Sequence, residues 1–262
     1  MVASFGISWA LRERPAPKLF TLLMPWGRVG SHLVASALEA EPGIHVENEP
    51  TTEIMALGHQ AGLAPEVIRD QQYLHLAEFA SNLPRGLRAA GLKLSHRSLI
   101  DQTGYMRHLS ELGFRLVLMV RRNHLKSAVS QLRALARSQE EQCDSRWASP
   151  WAVTADEPKP GPDTIDVAEA MRLAAEFETT QVEMMETVLA VYGTEWKRVE
   201  YERLCVDPDG TIREVFDNLS LKAPKAIAIR YRKATSDCLV DDVVNYEELR
   251  SAAVEAGLER FL

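Results

Sequence analysis

The run Phe114-Arg115-Leu116-Val117-Leu118-Met119-Val120 constrains the fold of this chain more than any other stretch. Apolar residues occupy odd and even positions alike, so both faces of the strand it predicts must be covered. Directly after it, RRNHLKSAVSQLRALARS places Leu125, Ala128, Val129, Leu132 and Leu135 in register on one face of a helix. A strand buried on both sides and followed at once by an amphipathic helix belongs in the middle of a parallel sheet with helices on each face.

The rest of the chain alternates in the same way. Residues 19–24 read as a buried strand, and a helix from about Ser31 carries Leu33, Val34, Ala37 and Leu38 on one face. Ile44-His45-Val46 reads as a short second strand, and Pro50 biases Glu49 towards an extended backbone, so no helix begins before it. Residues 52–85 read as helical, with an N-cap region around Ala64-Pro65-Glu66, and 91–94 as a strand. A helix over 99–112 stops at Gly113. Further on, 165–192 reads as a long helix, 196–200 as a strand leading into a turn, and Asp207-Pro208 as the opening of another helix. The tail is basic at Arg230 and then helical. The pattern predicts a flexible arm over 1–17 and a single three-layer α/β domain over 18–262, its central, mostly parallel sheet flanked by helices. The polar, Pro-rich stretch 138–164, with Trp147 and Trp151, reads as an insert of the lid, binding-loop or disordered kind.

A net charge of −7 over 262 residues argues against a general nucleic-acid binder or a basic membrane-surface protein, so any anion site must be local. Cys143, Cys205 and Cys238 have no metal-ligand spacing and read as free thiols of a reducing compartment. No stretch approaches the ~20 apolar residues of a membrane helix. The N-terminus does not read as a secretory signal, because Arg12 and Arg14 follow a short apolar part. The expectation is a cytoplasmic protein.

Within this frame, LFTLLM-PWGRVGSH (19–32) is a strand feeding a turn that opens a helix, the pattern of a phosphate cradle. Gly27 and Gly30 allow a close backbone approach, and Arg28 sets a fixed positive charge beside it. The turn is too short for GxxxxGK[ST] and lacks its Lys, which disfavours an ATPase or GTPase, and no GxGxxG is present. Arg122, just past the end of the central strand, and Ser130, about two helical turns on, supply a second anion site at the same sheet edge. Two phosphate-type sites on one edge suit a nucleotide phosphorylated at two positions.

These residues carry a resemblance to the sulfotransferases that use 3′-phosphoadenosine-5′-phosphosulfate (PAPS), a P-loop-like fold. Arg28-Val29-Gly30-Ser31-His32 resembles that family's P-R-S-G-[ST]-[ST] loop, with Val29 and His32 as departures. RNHLKSAVS (122–130) resembles its R-[DN]-P-x-D-x-x-x-S motif without the Pro, and YERLCVDPDG (201–210) its later YE-x-L-x-x-DP segment. The stretch ARSQEEQCDSRW is nearer the bacterial carbohydrate-type enzymes.

The resemblance implies transfer of a sulfuryl group from PAPS to an acceptor hydroxyl, on a small molecule, sugar or glycoconjugate, without a divalent metal. It implies that Arg28 and the N–H groups of Val29, Gly30, Ser31 and His32 hold the 5′-phosphosulfate. Arg122 and Ser130 would bind the 3′-phosphate, and Arg232 and Lys233 would complete that pocket, although Ala234 stands where the cytosolic animal enzymes have Gly. The base the resemblance favours is Glu49, at the end of the second strand; the rival is His96 of Lys93-Leu94-Ser95-His96, whose extra residue relative to K-T-H turns the side chain to the opposite face. His32 can donate to a sulfate oxygen or cap its helix, and Trp26 can stack on adenine, cover the loop or sit in the core. A small-molecule kinase with a degenerate loop, or a catalytically silent nucleotide-binding protein of the same fold, are the alternatives. The oligomeric state is not legible.

Overall fold

The computed structural model describes residues 16–140, 153–154, 156–236 and 238–262, without the side chains of Gln139, Glu140 and Arg232. Most of the arm expected at 1–17, and Trp147 and Trp151 of the insert, lie outside the described residues.

The chain alternates β1 (Lys18–Met24), α1 (Ser31–Glu39), β2 (Ile44–Asn48), α2 (Pro50–Gln60), α3 (Pro65–Ser81), β3 (Ala89–Ser95), α4 (Gln102–Glu111), β4 (Arg115–Val120) and α5 (His124–Glu140). Then come β5 (Val153–Thr154), α6 (Val167–Tyr192), β6 (Trp196–Glu200), α7 (Tyr201–Val206), α8 (Pro208–Asn218), β7 (Tyr231–Arg232) and α9 (Tyr246–Glu255). Among the described residues, β1, β2, β3, β4 and β6 form one parallel sheet in the order β2-β3-β1-β4-β6. β1 therefore lies between β3 and β4, and the connections leave it in opposite directions. Ligands of open α/β sheets bind outside the carboxyl ends of the strands at such a point. The segments at those ends are 25–30, 96–101 and 121–123.

Packing follows the period of two along the strands. Phe20, Leu22 and Met24 of β1 meet Val34 and Leu38 of α1 and Ile212, Val215 and Phe216 of α8. Leu23, with Leu92 and Leu94 of β3 and Leu116 and Leu118 of β4, meets Tyr105, Met106 and Leu109 of α4 and Met184 and Val188 of α6. Helices thus cover both faces, the three-layer arrangement expected from the 114–120 run and its alternating neighbours. Gly91 has a specific reason to be Gly: a Cβ there would lie 2.3 Å from the buried Phe20 ring.

Local differences from the sequence reading have local causes. The 52–85 segment is two helices, because the chain turns at Gly62 (φ +67) and restarts at Pro65. The helix after β4 begins only at His124, where Asn123 Oδ1 accepts the Lys126 N–H at 2.8 Å. Residues 201–206 form a helix rather than a turn. Inside the Pro-rich insert, Val153 and Thr154 pair antiparallel with Arg232 and Tyr231 of the basic tail.

Candidate active site

The turn after β1 reverses direction through two left-handed residues, Arg28 (φ +67) and Gly30 (φ +80). At Gly30 a side chain would also collide with Leu204 and Tyr201, since a Cβ would sit 2.8 Å from Leu204 Cδ2. α1 starts immediately afterwards with no side-chain cap. Its first N–H groups have no acceptor within the helix, and its dipole end is open to an anion. Val29 is buried in the core, so its share in any ligand contact is its main chain. The Ser31 hydroxyl donates to Met24 Sδ at 3.2 Å.

Two cavities share this turn as a wall. The first, of about 240 Å³, is lined by Arg28, Gly30, Ser31, His32, Arg121 and Ser130, and across from them by Val153, Tyr201, Tyr231 and Lys233. It adjoins a cavity of about 330 Å³ walled by Arg121, Asn123, Lys126, Lys233 and Ser236. On the other side of the turn a cavity of about 660 Å³ is lined by Trp26, Arg28, Ser31, His32, Glu49, Met55, Lys93, Arg97 and Gln131. Arg28, Ser31 and His32 face both sides.

The first cavity is strongly cationic. The Arg28 Nε donates to Ser130 Oγ at 2.9 Å, and Arg121 donates to the Arg28 carbonyl at 3.0 Å. Burial, with Arg137 and Arg121 nearby, pushes the Arg28 guanidinium down to about 10, so it remains charged at neutral pH. Arg121 is buried, its guanidinium 4.1 Å from the centre of the Tyr201 ring. Its Nε has no hydrogen-bond partner among the described residues. A buried charged donor without a partner carries a desolvation cost.

Of the paired arginines after β4, then, the one that lines the cavities is Arg121. The Arg122 side chain is two-thirds exposed (66%) and faces Glu200 and Glu202 at 3.5 and 3.9 Å. The spacing to Ser130 singles out Arg122 in the sequence, but the end of β4 decides which side chain turns inward. Lys233 lines both the 240 Å³ and the 330 Å³ cavities, and the Arg232 side chain lies outside the described residues.

In the larger cavity a lysine stands between Glu49 and His32. Lys93, its side chain 1% exposed, pairs with Glu49 Oε1 at 2.9 Å and lies 3.1 Å from His32 Nδ1. Burial lowers its pKa, and Glu49 partly offsets that. Burial, and then the Lys93 ammonium, hold His32 down at about 4, so at neutral pH its ring is uncharged and can accept from Lys93. Glu49 itself is left-handed (φ +52) at the N-cap of α2, yet its side chain caps nothing there and turns to Lys93 instead. The sequence signal for Lys93 was a charged residue inside an otherwise apolar strand, GLKLS.

His96 is elsewhere. Its side chain is wholly buried, neither ring nitrogen has a partner among the described residues, and burial lowers its pKa to about 4. Lys93, Ser95, Arg97 and Ser98 line the cavity with Glu49, and His96 does not. Trp26 lies on the Glu49 side of the turn, edge-on to Phe177 at 4.9 Å and with the Arg97 guanidinium 3.6 Å from its ring centre. It does not line the cavity bounded by Tyr201. No group of three or more His, Cys, Asp or Glu side chains among the described residues could hold a metal ion.

No family model and no curated protein sequence matches the chain. A solved sulfotransferase from Alicyclobacillus acidocaldarius superposes with a TM-score of 0.51 at 14% identity, over 94% of this chain and 96% of its own. The chain adopts the sulfotransferase fold. Mouse sulfotransferase SULT7A1, solved in complex with PAP, is a weaker likeness, with TM-score 0.45 at 11% identity over 94% of this chain and 88% of that one. A sulfotransferase domain from the Synechococcus PCC 7002 olefin synthase aligns at 16% identity and TM-score 0.38, over 92% and 86%. No helix among the described residues is long and apolar enough to cross a membrane.

Proposed function

We propose that this chain is a PAPS-dependent sulfotransferase that moves the sulfuryl group to an acceptor hydroxyl, with Glu49 as the base. The observation that carries the reading is the shared wall: Arg28, Ser31 and His32 border a cationic cavity on one side and the Glu49–Lys93 cavity on the other. A group held at that wall has its leaving oxygen on the cationic side and its open face towards the carboxylate. In-line transfer requires that arrangement.

The residues fit the nucleotide on their own chemistry. Arg28 and the opening turn of α1 provide cation and dipole for a 5′-phosphosulfate. Arg121, Lys126 and Lys233 together line the adjoining cavity, and three cations there suit a second phosphate. We therefore assign the 3′-phosphate contact to Arg121, while Ser130 holds Arg28 in place. Glu49 takes the proton of the acceptor hydroxyl as the oxygen attacks sulfur. Lys93, already between Glu49 and His32, keeps positive charge beside the group in transit, and Arg28 meets the charge that collects on the departing phosphate. The acceptor occupies the larger cavity, whose walls combine Trp26 and Met55 with polar side chains, as suits a small molecule or a sugar.

Calorimetric titration tests the reading. The product 3′,5′-bisphosphoadenosine (PAP) is expected to bind without metal and more tightly than ATP with magnesium. Arg121→Ala should weaken it at least tenfold, the loss of about 1.4 kcal/mol that one charged hydrogen bond readily supplies. Arg122→Ala should change it little, and Glu49→Gln should leave PAP binding intact while turnover falls about 10²-fold or more. Preference for ATP would overturn the proposal.

A further inference from the structure

The largest wholly buried side chain in the described residues is an arginine, Arg133, on the face of α5 that also carries Ser130. Its Nη1 donates to Asp242 Oδ1 and its Nε to Asp163 Oδ2, both at 2.6 Å, and its Nη2 reaches the carbonyls of Pro160 and Gly161. Asp163 belongs to the Pro-rich insert and Asp242 to the tail. The two strands of chain are tied again by main-chain bonds, Asp163 N–H to the Asp242 carbonyl at 3.0 Å and Val244 N–H to the Asp163 carbonyl at 2.9 Å.

Asp242 is used on both oxygens. While Oδ1 holds Arg133, Oδ2 accepts from the Ser236 main-chain N–H at 2.6 Å and from its hydroxyl at 3.0 Å. Ser236 ends the segment whose Lys233, Ala234 and Thr235 line the first cavity, and Ser236 itself lines the adjoining one. One turn earlier on α5, Ser130 holds Arg28 on the opposite wall. A single turn of α5 therefore fastens both sides of the nucleotide cavity. A buried ion pair is often no more stabilising than apolar packing of the same volume, and this one ties three separate segments of chain together.

We propose that Arg133 and Asp242 are positioning residues: they set the 233–236 segment, and with it the insert-and-tail wall, at the distance from Arg28 that the nucleotide requires. This rests on the sulfotransferase reading above for the identity of the ligand. It goes beyond that reading in naming residues that touch no ligand.

The experiment compares wild type with Asp242→Asn and Asp163→Asn by calorimetric PAP titration and by amide hydrogen exchange over residues 229–236 of the ligand-free protein. Asp163 is 39% exposed, so its variant keeps the fold even if the fully buried Asp242→Asn does not. If the segment holds its binding position only about a tenth of the time in Asp242→Asn, the PAP dissociation constant rises about tenfold. Exchange over 229–236 should rise in parallel, and Asp163→Asn should show both effects more weakly, about threefold by the same relation. A role confined to stability would lower the melting temperature and leave affinity and local exchange as in wild type, and that result overturns the inference. Wild-type protein that ignores PAP sinks the functional reading; variants that bind PAP as wild type does sink this inference alone.

Discussion

Replacing Lys93 by Met separates catalysis from folding at the most unusual residue of the site. Met fills nearly the same volume, so the substitution removes the charge without opening a large cavity. The Lys93 side chain is 1% exposed and that of Glu49 31%, so the carboxylate left behind can turn to water. The cost then falls well short of the ~3–5 kcal/mol of a fully buried broken pair, at about 1–2 kcal/mol. Lys93→Ala adds a cavity and should cost about 2–5 kcal/mol. His32 supplies an internal gauge. Burial is the larger cause of its low pKa and Lys93 the next, so in Lys93→Met the imidazole should titrate above its wild-type value of about 4 and still below the ordinary 6.5. Imidazole resonances followed by two-dimensional NMR across pH 3 to 7 would read this directly. Turnover in the same variant should fall by about 10²–10³, the effect of removing one preorganised charged donor. Unchanged titration of His32 would refute the placement of the ammonium, and near-normal turnover would refute its catalytic part.

Two further outcomes follow from the same geometry. His32 and His96 are held near pKa 4 against an ordinary 6.5, so the unfolded chain takes up protons in that interval and the folded one does not. Their contribution to stability is full above about pH 6.5 and is lost as pH falls towards 4, at most about 3 kcal/mol for each; urea unfolding at pH 7, 6, 5 and 4 should show the decline, and His96→Phe should flatten it. Gly30→Ala meets both a positive φ and a Cβ 2.8 Å from Leu204, so calorimetry should show a melting temperature several degrees lower, for a cost of about 2 kcal/mol or more. The same variant displaces Tyr201 from Arg121 and should weaken PAP binding.

Much of this protein could be read from the chain itself, because the controlling signals are local. Apolar runs at 19–24 and 114–120, the stop at Gly113 and the Asp207-Pro208 cap are set by residues a few positions apart, and the structure has β1, β4, α4 and α8 where those signals lie. The loop PWGRVGSH carried the anion-binding pattern for the same reason. What tertiary structure alone decided is which side chains face each other. Arg121 and Arg122 are adjacent and chemically identical, and only the end of β4 beside β6, with Glu200 and Glu202 outside, turns one into the cavity and the other to solvent. Lys93 lies 44 residues from Glu49 and 61 from His32, and it meets them because β2 and β1 both pair with β3. The insert and the tail likewise carry no local signal for each other; β5 pairs with β7, and Arg133 draws in two carboxylates, because α5 sets both segments against one buried guanidinium. Backbone propensity acts over one turn or one strand, whereas a site of this kind is assembled by packing across the whole sheet.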